Sequence, residues 1–284
     1  RMIAFFGMGL LGSNFVRALR KRGEDVHVWN RSPDKARALE ELGAKAFEDP
    51  ASAARGASRV HLTLSDDAAV DDVLDKARAG FDEKTIIVDH TTTSPTGTAA
   101  RAKKWPSYQH APVFMGPQNA LDSSGIMLAS GPRARYDALE PHLAKMTGKL
   151  VYLGEAPERA AAFKLMGNAF LMAMTAGIAD VLAIAKATHV SPNDAVGLFE
   201  HFNPGAFVPV RAKRMATGKF SEASWELSMA RKDARLMIEE TKANNVTLDV
   251  IPAIAAQMDR FIARGHAKDD WTVIGKDALE SSAD

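Results

Sequence analysis

Glycines 7, 9 and 12, in FFGMGLLGSNFVRAL, follow an apolar run over 2–6 and precede a helical pattern that Gly23 closes. Few segments constrain a fold so strongly. In a strand that turns into a helix through G-x-G-x-x-G, the first glycine permits the tight turn and the second a close backbone approach to a pyrophosphate. The third lets helix and strand pack together. Free amides and the dipole at the helix N-terminus favour the negative charge. With DVHVW as the next strand, the segment reads as the first βαβ unit of a dinucleotide-binding domain, and Gly7, Met8, Gly9, Leu10, Leu11 and Gly12 form its cofactor loop.

Chains that take NAD place an acid at the end of the second strand, where it accepts hydrogen bonds from the ribose 2′-hydroxyl. Here that place holds Asn30, followed by Arg31 and Ser32, with Lys35 close behind. A carboxylate would repel a 2′-phosphate, whereas Arg31 pairs with one and stacks on adenine. NADP is therefore expected in preference to NAD.

Short apolar runs over 2–6, 25–29, 59–64, 85–89, 126–130 and 150–153 alternate with helical patterns, which predicts a mostly parallel, doubly wound sheet of the Rossmann type. Ser32-Pro33 starts one of the helices and Gly43 closes it. Beyond residue 155 only helical periodicity is found. Residues 157–187 read as one long helix, apolar on nearly every side and hence buried, and further helices are expected over 194–201, 225–243 and 250–263. The chain thus divides into a cofactor domain, 1–155, and an all-helical domain, 156–284. Its 284 residues, 46% of them hydrophobic, suffice for two cores. There are no internal repeats.

A net charge of +1, with acids and bases mixed along the chain, leaves no electrostatic footprint for nucleic acid or an anionic membrane, so a small-molecule substrate is expected. The absence of cysteine removes disulfides, thiolate metal sites and a thiol nucleophile. No leader sequence or membrane span is read, Arg1 reads as an addition ahead of Met2, and the cytoplasm is the default compartment. The apolar surplus of the helical half suggests a homodimer or homotetramer.

In AAFKLMGNAF, Lys164 and Asn168 share a helix face about one turn apart. Apolar neighbours desolvate the ammonium and lower its pKa toward a range useful for proton transfer. The competing reading is a lysine whose stem covers core while its head reaches water. Farther on, SMARKDARLM carries Lys232 beside Asp233.

Together these pieces resemble the β-hydroxyacid dehydrogenase family, the group of 3-hydroxyisobutyrate and 6-phosphogluconate dehydrogenases, over almost the whole chain. FFGMGLLGSNFVRAL, LTLSDDAAV, VDHTTTSP, HAPVFMGPQNALDSSGIMLASG, KLMGN and RKD occur in the family's order. The resemblance implies a Rossmann domain and an all-α domain joined by a long helix, with the site between them. It implies hydride transfer between nicotinamide and a β-hydroxy acid or its semialdehyde, with Lys164 as general acid in reduction and general base in oxidation. Asn168 would orient the substrate or Lys164. Thr92 would lie beside nicotinamide and substrate, Leu64, Ser65 and Val70 along the cofactor, and Lys232 would reach the cofactor from the helical domain.

The substrate loop departs from the family's P-V-S-G-G: it reads Pro112-Val113-Phe114-Met115-Gly116, with a ring in place of a hydroxyl. Phe114, Met115 and Gly116 are still expected against the substrate, on a more apolar side than is usual, unless the two large side chains turn into the core. Ser65 stands where proline is common, and of the family's glycine-rich approach to the lysine only Gly154 is left. An imine reductase shares the architecture and the NADP preference, but Lys164 argues against it. A non-catalytic nucleotide-binding module would not need Lys164, Asn168 and Lys232. His90 and His110 lack the spacing of a metal site and are expected to shape the pocket, with no metal bound.

Overall fold

The computed structural model describes residues 2–280, so Arg1 lies outside the described residues. Strands β1 (Ile3–Phe6), β2 (Val26–Trp29), β3 (Lys45–Phe47), β4 (Arg59–Leu62), β5 (Ile86–Asp89) and β6 (Tyr108–His110) form one parallel sheet in the order β3-β2-β1-β4-β5-β6. Strands β7 (Val113–Phe114), β8 (Ile126–Ala129) and β9 (Lys149–Tyr152) form a second, mixed sheet. The crossovers are α1 (Leu10–Lys21), α2 (Pro33–Arg37), α3 (Pro50–Ala54), α4 (Asp67–Ala77) and α5 (Pro95–Lys104), with α6 (Pro117–Asp122) and α7 (Arg133–Leu143) beside the second sheet's strands in the chain. Then follow α8 (Arg159–Ala187), α9 (Pro192–His201), α10 (Val208–Thr217), α11 (Leu227–Ala243) and α12 (Ile251–Ala263).

The doubly wound reading holds, with corrections. The runs over 126–130 and 150–153 leave the parallel sheet for the second one. Strands β3 (KAF) and β6 (YQH) escape the sequence reading because they are short and carry charged or polar residues. Alternation along β1 explains the two-sided core. Ile3 and Phe5 pack with Phe15, Val16 and Leu19 of α1, while Ala4 and Phe6 pack with Val60, Leu62, Val73 and Leu74.

The chain divides into two compact units at Ala169/Phe170, within α8. In the second unit, Phe220, Leu227, Met258, Phe261 and Val273 form a core of their own. Asp180 of α8 is buried and accepts hydrogen bonds from the backbone N–H groups of Asp249, Val250 and Ile251 at 3.0, 3.0 and 2.9 Å, where α12 begins with unpaired donors. Burial pushes the Asp270 carboxyl up, yet hydrogen bonds from Thr272 and Ser224 hold it down at about 2.

The expected burial of the long helix fails within a single chain. Met166, Phe170, Leu171 and Met172 are exposed at 61, 53, 48 and 70%. An all-round apolar helix fixes only that something must cover it; the chain's own elements cover Ala160, Ala161, Asp180, Ala185 and Ala187 and leave the middle bare.

Candidate functional site

At the carboxyl ends of β1 and β4 the strand order reverses, and there a crevice of 650 Å³ opens. Its floor is the glycine turn. Gly7 has φ +94°, and a Cβ on it would meet the Thr63 carbonyl oxygen at 2.0 Å. A Cβ on Gly12 would meet the Gly7 carbonyl oxygen at 1.9 Å, whereas one on Gly9 would meet nothing of the described residues within 4 Å. Two glycines therefore close the turn and the third leaves backbone bare toward the crevice. Helix α1 starts at Gly9 with no side-chain cap and no acid in its first turn, so its amides remain free for an anion.

Asn30 has a task that its sequence position does not announce. Its Oδ1 accepts from the Met8 N–H at 2.8 Å and its Nδ2 donates to the Ser32 carbonyl at 3.0 Å, which ties the glycine turn to the end of β2. An aspartate would keep the first bond, lose the second and add a negative charge. Arg31, Ser32 and Lys35 line the same end of the crevice and are exposed. The Ser32 hydroxyl does not cap α2. Among the described residues neither Arg31 nor Lys35 has a carboxylate within 4.0 Å. Unspent cations and a free hydroxyl fit a 2′-phosphate, and the bare glycine turn fits a pyrophosphate.

The remaining walls come from the loops after β4 and β5. The Leu64 N–H donates to Thr91 Oγ1 at 2.9 Å and the Thr91 N–H to Asp89 Oδ1 at 3.0 Å, which fixes the two loops against each other. Leu64, Ser65 and Thr92 line the crevice. Val70 does not: it is fully buried and faces the core, and the helix face toward the crevice is Ala69, Asp72, Val73 and Lys76. That i, i+3, i+4, i+7 spacing was a legible signal that the sequence reading missed, along with Trp29, Thr63 and Thr91.

His90 also lines the crevice. Its Nδ1 donates to the Ala111 carbonyl at 2.7 Å and its Nε2 accepts from His61 Nδ1 at 2.9 Å, while burial lowers its pKa to about 4. Both ring nitrogens are engaged and the ring is neutral at pH 7, so His90 shapes the pocket. His110 is buried against the Thr91 carbonyl at 2.8 Å and does not line the crevice.

Lys164, near the start of α8, reaches the crevice. It is 9% exposed, and burial lowers its pKa. Its Nζ lies 4.3 Å from the centre of the Phe114 ring, and no carboxylate of the described residues is within 4.0 Å. Phe114 therefore neither fills the crevice nor turns wholly into the core. It lies across the lysine and against Gly167, where a Cβ would stand 2.3 Å from the ring. Gly167 in KLMGN is explained by that ring. Met115 and Val113 line the crevice. Gly116 instead begins α6, its N–H donating to Asn119 Oδ1 at 2.9 Å. The Met8 side chain is buried in the core, and Asn168 is half-buried one turn past Lys164, outside the crevice wall. Lys232 stands on α11 of the second unit, paired with Asp233 at 2.8 Å.

Residues 2–154 match the family described as the NAD binding domain of 6-phosphogluconate dehydrogenase. Residues 156–278 match one described as NADPH-dependent reductive aminase-like, C-terminal domain. The chain is similar to 3-sulfolactaldehyde reductase of Escherichia coli (strain K12), 24% identical over 96% of this chain and 94% of that protein. It is also similar to the chloroplastic glyoxylate/succinic semialdehyde reductase 2 of Arabidopsis thaliana, 30% identical over 67% of this chain and 55% of that protein. Among solved structures, the imine reductase from Myxococcus stipitatus in complex with NADP+ shares the fold. Its TM-score is 0.90 at 19% identity, over 96% of this chain and 98% of that one.

Proposed function

This chain belongs to the β-hydroxyacid dehydrogenase family, NAD(P)-dependent oxidoreductases of hydroxy acids and semialdehydes, and from that premise we propose that Lys164 is its proton-transfer residue. The carrying observation is a desolvated ammonium in the wall of the crevice whose floor is the glycine turn. In reduction, Lys164 Nζ gives a proton to the carbonyl oxygen; in oxidation it takes one from the hydroxyl. Nicotinamide, when bound, supplies or accepts the hydride. Asn168 offers an amide to the substrate or to the lysine, and Thr92 a hydroxyl at the crevice mouth.

Phe114 occupies the family's hydroxyl position and covers Lys164, so the substrate is a semialdehyde or β-hydroxy acid with an apolar side. NADPH consumption across short and long semialdehydes and cyclic imines tests this: turnover of aldehydes that depends on Lys164 supports it. A second reading, imine reduction, draws on the reductive aminase-like match of residues 156–278 and on the apolar Phe114-Met115 pair. It would prevail if imines alone were reduced and Lys164→Ala left that rate unchanged.

We assign the cofactor preference to NADP, on the unspent charges of Arg31 and Lys35. Arg31→Ala is expected to weaken NADPH by about tenfold or more and NADH by much less, since a charge-assisted contact to phosphate is worth more than about 1.5 kcal/mol. Equal weakening of both cofactors, measured by fluorescence titration, would remove the phosphate contact from the proposal.

The working unit in this proposal is a cytoplasmic homodimer or homotetramer. Helix α8 is long and apolar enough to cross a membrane. Asp180, however, is committed from within that helix to the start of α12, and that commitment favours a protein partner over lipid. Sedimentation is expected to give a dimer or tetramer, and Met172→Glu, on the exposed face, to shift it toward 30.6 kDa. A wild-type monomer would refute the oligomer.

A further inference from the structure

A second cavity of 650 Å³ lies at the opposite, amino-terminal edge of the parallel sheet. It is lined by the residues that enter the strands, among them Met2, Ser58 and Arg59, and by His142 of α7 and Lys145 just beyond it. Arg59, the first residue of β4, is 6% exposed and contributes to the cavity wall. Its Nε donates to His61 Nε2 at 3.3 Å, and His61 donates onward from Nδ1 to His90. That chain needs both imidazoles neutral, and burial lowers both of their pKa values.

Nε is thus engaged and the guanidinium is pinned. Among the described residues, Nη1 and Nη2 have no hydrogen-bond partner on the protein, and no carboxylate oxygen lies within 4.0 Å. A guanidinium largely withdrawn from bulk water, with Glu24 as a countercharge beyond 4.0 Å and its Nη groups open to the cavity, is only partly neutralised, and a neutral amide would serve His61 as well. The charge itself therefore calls for a partner. The wall adds the exposed Lys84, Lys145 and Asp82 and the half-buried Glu24, three cations with Arg59 to two carboxylates, with His142 beside them.

We infer that this cavity is a binding site for a small oxyanion, a phosphate ester or carboxylate, taken up by the two free Nη groups of Arg59 and neutralised further by Lys84 and Lys145. The planar fork of a guanidinium matches two oxygens of either group. The site is separate from the cofactor crevice, and nothing in the hydride-transfer reaction requires it.

The test titrates inorganic phosphate and, separately, malonate into protein saturated with NADP+, which occupies the phosphate-binding turn, and follows binding by calorimetry. Saturable binding of about one anion per chain is expected, with the tighter of the two probes identifying the ligand's head group. Arg59→Gln should weaken it by at least about tenfold, the usual scale for a lost charge-assisted pair. Arg31→Ala, in the cofactor crevice, should leave it unchanged. Should Arg59→Gln fail to fold, the double variant Lys84→Ala/Lys145→Ala, on the exposed rim, should weaken binding by at least about threefold. Non-saturable uptake, an unchanged affinity in the folded variants, or dependence on Arg31 would overturn the assignment.

Discussion

Lys164→Ala is expected to lower kcat in the reducing direction by at least about 100-fold, the scale of lost general acid–base help, with NADPH affinity within about threefold of wild type. The ammonium is desolvated and faces the crevice, and no carboxylate of the described residues holds it, so its removal takes a proton donor from the site and leaves the glycine turn intact. Its pH dependence follows from the direction of the shift. Burial lowers the lysine pKa below 10.5, and reduction needs the protonated form. The reduction rate should therefore fall as pH rises through that lowered value, while the oxidation rate rises through it. A rate–pH profile with no limb below 10.5, or a variant that loses cofactor binding as much as turnover, would contradict the role.

The other large effect is expected at Gly12. A methyl there would meet the Gly7 carbonyl oxygen at 1.9 Å and Thr63 Oγ1 at 2.3 Å, two atoms already hydrogen-bonded to each other at 2.9 Å, so neither the turn nor the residue after β4 yields without breaking that bond. Gly12→Ala should cost about 1–3 kcal/mol of stability through overpacking and weaken NADPH by at least about 100-fold, because the turn that presents free amides is displaced. Gly9→Ala is the informative control. Its methyl meets nothing in the free protein, so the melting temperature should stay put while NADPH affinity drops. A Gly12→Ala protein with wild-type melting and wild-type affinity would mean that the turn is not the cofactor cradle.

Much of the candidate site could be read from local pattern. The glycine spacing, the missing acid after β2 and the lysine among apolar neighbours each depend on residues within a few turns of one another, and all three now line one crevice. What escaped depends on partners distant in sequence. In the sequence Asn30 stands only as the absence of an acid, yet its amide pins Met8 from 22 residues away. Val70 and the Ala69, Asp72, Val73, Lys76 face differ by one step around a helix, a rotation set by how α4 sits on the sheet.

The amino-acid sequence by itself determined the alternation of strands and helices apart from the short β3 and β6, the turn at Gly7 to Gly12 and the extent of α8, because torsional preference and apolar period act over a few residues. Only the tertiary structure decided that Phe114 lies over Lys164 and Gly167, that β8 and β9 leave the main sheet, and that α8 keeps a bare apolar face. Those outcomes turn on which side chain stands opposite which across long loops. A local pattern records that an apolar surface must be covered and is silent on what covers it.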